Sequence, residues 1–261
     1  MTWDFKPSVV IGCCALLALY PYLTRSRPTR RAVCWLTGVL LIFIALCSPI
    51  DELADTYLFS VHMAKHILFV LIVPALLLIA LPSTALERIL KRNSLRRTER
   101  LLRRPAIAWL AGIGPMLFWH IPTLFNAALA NEPLHIVEHV SLLIGGTIYW
   151  WPLLSPLPQS RLRPVPEASA YLFTSCLACT FIGIAITFAP NLLYPAYAHP
   201  PGANGILSTI RNRWGISAPM DQQIGGLLMW VPGCLVYVTA IMSMFARWYA
   251  EESDATAMET E

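Results

Sequence analysis

The sequence predicts an all-α, polytopic membrane helix bundle of seven transmembrane helices, with the N-terminus outside and the C-terminus in the cytoplasm. Three observations predict it. Of the 261 residues, 56% are hydrophobic and only 13% charged, whereas a soluble domain carries about a quarter charged residues. Seven apolar stretches approach or exceed the length that crosses ~30 Å of hydrocarbon at about 1.5 Å per helical residue. Basic residues arrive in blocks between alternate stretches, as the positive-inside rule requires.

The stretches lie near residues 8–23, 32–49, 61–81, 105–121, 133–154, 167–189 and 222–246. None shows the period-two alternation of a membrane strand. The fourth is short and interrupted by Gly112, Gly114 and Pro115. Pro74 and Pro232 predict kinks in the third and seventh, which neighbouring helices can absorb. The first stretch has its arginines after it, the reverse of a cleaved signal. A lipoprotein-like box, Val10-Ile11-Gly12-Cys13, has too few apolar residues before it and reads as span interior. Residues 1–249 therefore read as one transmembrane domain, and 250–261 as an acidic, disordered cytoplasmic tail.

Charge sets the orientation. One group of loops holds Arg25, Arg27, Arg30 and Arg31, then Arg88 through Arg104, then Arg161 and Arg163, with Arg247 after the last stretch. These fifteen of nineteen Lys and Arg mark the cytoplasmic side. Asp51, Glu52, Asp55 and Glu132 mark the other, and only an odd number of spans keeps the alternation. Because the basic blocks flank spans, they signal topology and not a nucleic-acid surface. Lipid is the expected surrounding. No internal repeat supports an inverted-repeat transporter.

That topology places all six histidines on the outer side. His62 and His66 open the third span, His120 ends the fourth, His135 and His139 open the fifth, and His199 lies in the external loop from Pro190 to Asp221. The two i, i+4 pairs each share one helix face, so facing helices would bring four imidazoles to one depth. Neutral imidazole ligates copper and zinc, and ionisable groups within spans are costly enough that they usually serve function. Glu138, Asp51 and Asp221 could orient these rings. Lys65, between His62 and His66, would oppose a bound cation unless it snorkels outward. Deeper lie Met116, Cys176, Cys179, Met229 and Cys234. These are soft donors suited to Cu(I), and equally ordinary packing residues.

Four segments carry a family resemblance: SPIDELADTYLFSVHMAKHILFVLIVPALLLIALP at 48–82, WHIPTLFNAAL at 119–129, LHIVEHVSLLIGGTIYWWPLL at 134–154 and DQQIGGLLMWVPG at 221–233. Together they resemble the multi-span CtaG family of cytochrome c oxidase assembly proteins, over about residues 35–245. The resemblance implies a bacterial inner-membrane protein that assists maturation of a haem–copper oxidase by handling or inserting copper. The expected partners are oxidase subunits or another copper chaperone. The family's histidine motifs map onto His62, His66, His120, His135 and His139, with Asp221 and Gln222 opening the last span. Lys65 departs from the neutral residue commoner there.

The alternatives are a single outer haem ligated by histidines from two helices and a copper permease. A two-haem wire would need histidines near both faces. A retinal-type receptor would need a lysine in the last span, and 222–246 contains none. No nucleophile–base arrangement, phosphate loop or zinc-protease motif occurs, so no enzymatic activity is expected.

Overall fold

The computed structural model describes residues 2–24, 30–162, 165–200 and 205–259. Arg25, Arg27 and Arg163 of the basic loops, and the last two residues of the tail, lie outside the described residues. Within them, all regular structure is helical.

The chain begins with α1 (Pro7–Thr24) and α2 (Arg30–Cys47). Pro49 stops α2, because a proline has no N–H to donate and holds the preceding residue out of the helical region. Ser48 is extended, and its hydroxyl accepts from the Ile50 N–H at 3.2 Å, starting α3 (Pro49–Glu52). A π-helical turn, Leu53–Tyr57, follows. The acidic segment read from the sequence as a loop is thus helix, bent 55° from α2.

The third apolar stretch forms α4 (Phe59–Ile67), a π-helical turn (Leu68–Ile72) and α5 (Val73–Ala80). Pro74 causes the break, since it cannot bond the carbonyl one turn back, that of Val70. The indole N–H of Trp150 donates to that carbonyl instead, at 3.2 Å. The basic segment folds into α6 (Ser83–Ile89) and α7 (Asn93–Leu102), and α7 has no buried residue.

Next come α8 (Pro105–Trp119) and α9 (Pro122–Ala130), bent by 76° where Pro122 ends the first. Here too a segment read as loop is helix. α10 (Glu132–Leu154) begins at Asn131, whose side chain accepts from the Leu134 N–H. α11 is Val165–Thr187, α12 is Gly205–Ser208 with a π-helical turn to Arg213, and α13 is Ala218–Glu259, unbroken at Pro232. α13 continues into the stretch read as a disordered tail, where alanine, glutamate and methionine are good helix formers.

Four helical segments are by themselves long and apolar enough to cross a membrane, and up to six if each bent pair counts as one. They are α1, the α4–α5 segment, α11 and the first 33 residues of α13. α10 has 23 residues, but Glu138 and His139 lower its apolar character, and both are buried against the bundle. Helices therefore stand at all seven places read from the hydropathy.

Helices α8 and α5 flank α10, and α11 lies along α13. Close approach depends on Gly146 of α10. A Cβ there would stand 2.6 Å from the Val70 carbonyl oxygen and 2.9 Å from the Pro74 ring. Gly146→Val is expected to destabilise the fold by about 1–3 kcal/mol through overpacking, read as a lower thermal midpoint in detergent. Gly114→Val, with open space around its Cβ, is the control and should shift the midpoint far less.

Candidate metal-binding site

Three helix ends meet at the pole of the bundle opposite α6 and α7. α4 contributes His62 and His66 from its first two turns, α10 contributes His135, Glu138 and His139 from its own, and His120 caps the C-terminus of α8. A carboxylate from far along the chain holds the start of α4: Asp221, at the start of α13, accepts from the N–H groups of Phe59 and Ser60 at 2.7 and 3.1 Å. Asp221 satisfies two of the N–H groups that a helix start leaves bare. It positions the histidine helix and does not itself reach the rings through any of these bonds.

The i, i+4 pairs face each other. Nε2 of His62 lies 2.9 Å from Nε2 of His66. Ring centres are 4.3 Å apart for His135 and His139, 5.4 Å for His62 and His135, and 5.6 Å for His62 and His139. Two ligand groups follow, His62 with His135 and His139, and His62 with His66 and Glu138. Within each, one donor atom per residue lies within 4.8 Å of the others. His62 belongs to both.

Glu138 sits at the centre, not behind the rings as a supporting group would. Its Oε1 is 3.3 Å from Nε2 of His66 and its Oε2 is 3.8 Å from Nε2 of His135. It is fully buried, and among the described residues neither oxygen has a hydrogen-bond partner. Nδ1 of His66, Nε2 of His135 and Nε2 of His139 are likewise buried and unpartnered. Unpaired polar atoms at this density are costly in a low-dielectric interior. A cation among them would satisfy several at once.

Asp55 is the residue the sequence reading passed over, having used it only as a topology marker. Its Oδ1 lies 3.2 Å from Nδ1 of His62, 3.7 Å from Nε2 of His135 and 2.8 Å from Nζ of Lys65. Lys65 does not snorkel outward. It is 2% exposed and also pairs with Asp51 at 2.6 Å, and Asp51 in turn pairs with Lys6 at 2.5 Å. The charge that would have repelled a cation is thus held between two carboxylates. Among the described residues, the ion pair with Lys65 is what connects Asp51 to the rings.

His120 lies beside this group. Its ring centre is 5.3 Å from that of His66, but Nδ1 is 2.6 Å from the Met116 carbonyl oxygen and Nε2 is 3.3 Å from the Met63 sulfur. His199 is exposed. Phe125 of α9 packs over His62, its ring centre 5.0 Å away, which is why the bend after α8 matters. The loop after α11 seals the pole: the Tyr194 hydroxyl donates to the His120 carbonyl and that of Tyr197 to the Ala54 carbonyl, both at 3.0 Å. On the remaining side a cavity of about 600 Å³ between α1, α2 and α10 reaches Lys6, Asp51, Asp55, His135 and His139.

Comparison with known proteins adds the family. The model of the cytochrome c oxidase caa3 assembly factor family (Caa3_CtaG) matches residues 16–251. An uncharacterized protein of Mycobacterium leprae is 23% identical over 247 residues, covering 89% of this chain and 36% of its own length. Uncharacterized proteins of Mycobacterium bovis and Mycobacterium tuberculosis are each 22% identical over 266 residues, covering 96% of this chain and 39% of their own. The chain thus spans well under half the length of the curated relatives it matches. No solved structure matches it.

Proposed function

The chain belongs to the cytochrome c oxidase caa3 assembly factor family, and we propose that it serves that assembly by holding copper as cargo at the imidazole–carboxylate cluster. The observation that carries the reading is Glu138, a fully buried carboxyl whose two oxygens have no hydrogen-bond partner among the described residues and face imidazoles from two helices. A carboxylate in such a place needs a positive partner. A copper ion supplies it, and the neutral rings of His62, His66, His135 and His139 supply the donors.

The remaining groups tune the cluster. Asp55 stands 3.2 Å from Nδ1 of His62, near enough to favour one orientation of that ring. Lys65 and Lys6 face Asp55 and Asp51, whereas no lysine faces Glu138 among the described ion pairs. The rings pack at 4.3–5.8 Å between centres, a spacing that suits one small ion better than a porphyrin slotted between them. Transfer to an oxidase subunit or a second chaperone fits this set better than catalysis, because among the described residues the cluster offers metal donors and no Ser or Cys nucleophile paired with a base.

In the membrane, each bent pair counts as one span and α10 as another, giving seven, with the N-terminus and the histidine pole on the external face of a bacterial inner membrane. The basic helices α6 and α7 at the opposite pole support that orientation. The lateral cavity beside His135 would be the route by which cargo enters and leaves.

The test is metal content. Wild-type protein, purified in detergent, exposed to copper and dialysed, is expected to retain the metal. Glu138→Gln, which keeps the shape and removes the charge, should weaken retention by more than the roughly tenfold that loss of an outer orienting group costs a metal site. A wild-type protein that keeps no copper, or a Glu138→Gln protein that keeps as much, would overturn the reading.

A further inference from the structure

Beneath the imidazoles lies a second cluster, built from sulfur. His66 forms its roof, and Met116 of α8, Cys179 of α11 and Met229 of α13 line a small apolar cavity with it. The space is about 10 Å³, the size of one water or small ion. Cys179 and Met229 are 3% and 4% exposed. The Cys179 sulfur stands 3.8 Å from the Met116 sulfur. Two sulfurs bound to one ion at about 2.3 Å each, in tetrahedral array, stand about that far apart.

A second observation points to a ligand. His66 is 1% exposed and, among the described residues, its Nδ1 has no hydrogen-bond partner, while its Nε2 faces His62 and Glu138. One ring therefore belongs to both clusters. His120 stands alongside, with Nε2 at 3.3 Å from the Met63 sulfur and Nδ1 at 2.6 Å from the Met116 backbone carbonyl.

We propose that Met116, Cys179 and Met229 form an inner site for Cu(I), joined through His66 to the imidazole cluster above. Two thioethers beside one thiol are soft donors suited to monovalent copper. Exchange of the Cys179 thiol proton for Cu(I) leaves the net charge of the cavity unchanged, the released proton passing to the medium. This deepens the copper reading above and rests on it for the source of the ion.

The test uses the full chain in detergent, loaded with Cu(I) under anaerobic conditions in competition with a Cu(I) chelator, with X-ray absorption to identify ligand atoms. Wild-type protein should show both nitrogen and sulfur around copper. Met116→Leu with Cys179→Ser and Met229→Leu should lose the sulfur signal and the copper held against the chelator by it, with the nitrogen signal intact. His62→Ala with His135→Ala should keep the sulfur and lower the nitrogen count to what His66 and His139 can still supply. Sulfur-variant protein with an unchanged spectrum and stoichiometry overturns the inner site and leaves the imidazole reading standing. Wild-type copper bound by sulfur alone overturns the imidazole reading and leaves the inner site. If the triple variant fails to insert, Cys179→Ser alone, read the same way, decides.

Discussion

Cells in which this chain carries His62→Ala together with His135→Ala are expected to lose most of their cytochrome c oxidase activity while the protein inserts into the membrane at its normal level. The expectation follows from the way the two ligand groups overlap. His62 belongs to both, so its removal leaves each group one donor short, and removal of His135 leaves His139 as the only donor of the first. Glu138 loses one of the two imidazoles nearest its oxygens, and Asp55 loses both of the rings it faces. The helices bury large apolar surfaces elsewhere, around Tyr149, Leu172 and Tyr237, so insertion does not depend on these rings. Oxidase activity in membranes, protein level by immunoblot and copper content of the oxidase together check the prediction. Normal activity with normal oxidase copper would remove the cluster from assembly.

The second large effect is on stability and comes from Lys65. Lys65→Met keeps most of the side-chain volume but takes away the ammonium that stands 2.6 Å from Asp51 and 2.8 Å from Asp55. Asp51 keeps Lys6, which is partly exposed, and Asp55 is left with imidazoles alone. Breaking a buried ion pair from one side costs about 3–5 kcal/mol, because the remaining charge is stranded. The variant should therefore accumulate poorly and unfold at a markedly lower temperature, whereas Lys65→Arg should recover part of the loss. Adding Asp55→Asn to Lys65→Met should also restore stability, since it removes the stranded charge. A Lys65→Met protein as stable as the wild type would mean that the pair contributes no net stability.

The amino-acid sequence by itself determined the helices and most of the members of the site. Apolar runs can satisfy their backbone groups in lipid only as helices, and the seven apolar runs are helical. Four of them are by themselves long enough to cross a membrane, and up to six with each bent pair counted as one. Spacing of i, i+4 put His62 beside His66 and His135 beside His139, because a helix turns about 3.6 residues per turn. The proline bends after α2 and α8 were less legible, since short polar segments beyond a proline read equally well as loop or as a new helix. Those bends bring α3 with the π-helical turn after it, and α9, inward, and with them Asp55 beside Lys65 and Phe125 over His62.

Only the tertiary structure decided how the pieces are charged and joined. Asp221 caps a helix that begins 162 residues before it, and Tyr194 and Tyr197 close the pole from a loop that composition alone cannot dock. Lys65 looked like an obstacle to a cation because periodicity shows which face a residue shares, not which carboxylates meet it there. Glu138 passed for a supporting group for the same reason: its central place depends on how α4 and α10 cross. Helix formation is a local consequence of solvent and hydrogen bonding, whereas the electrostatics of a buried site depends on distances between segments that adjacency along the chain does not encode.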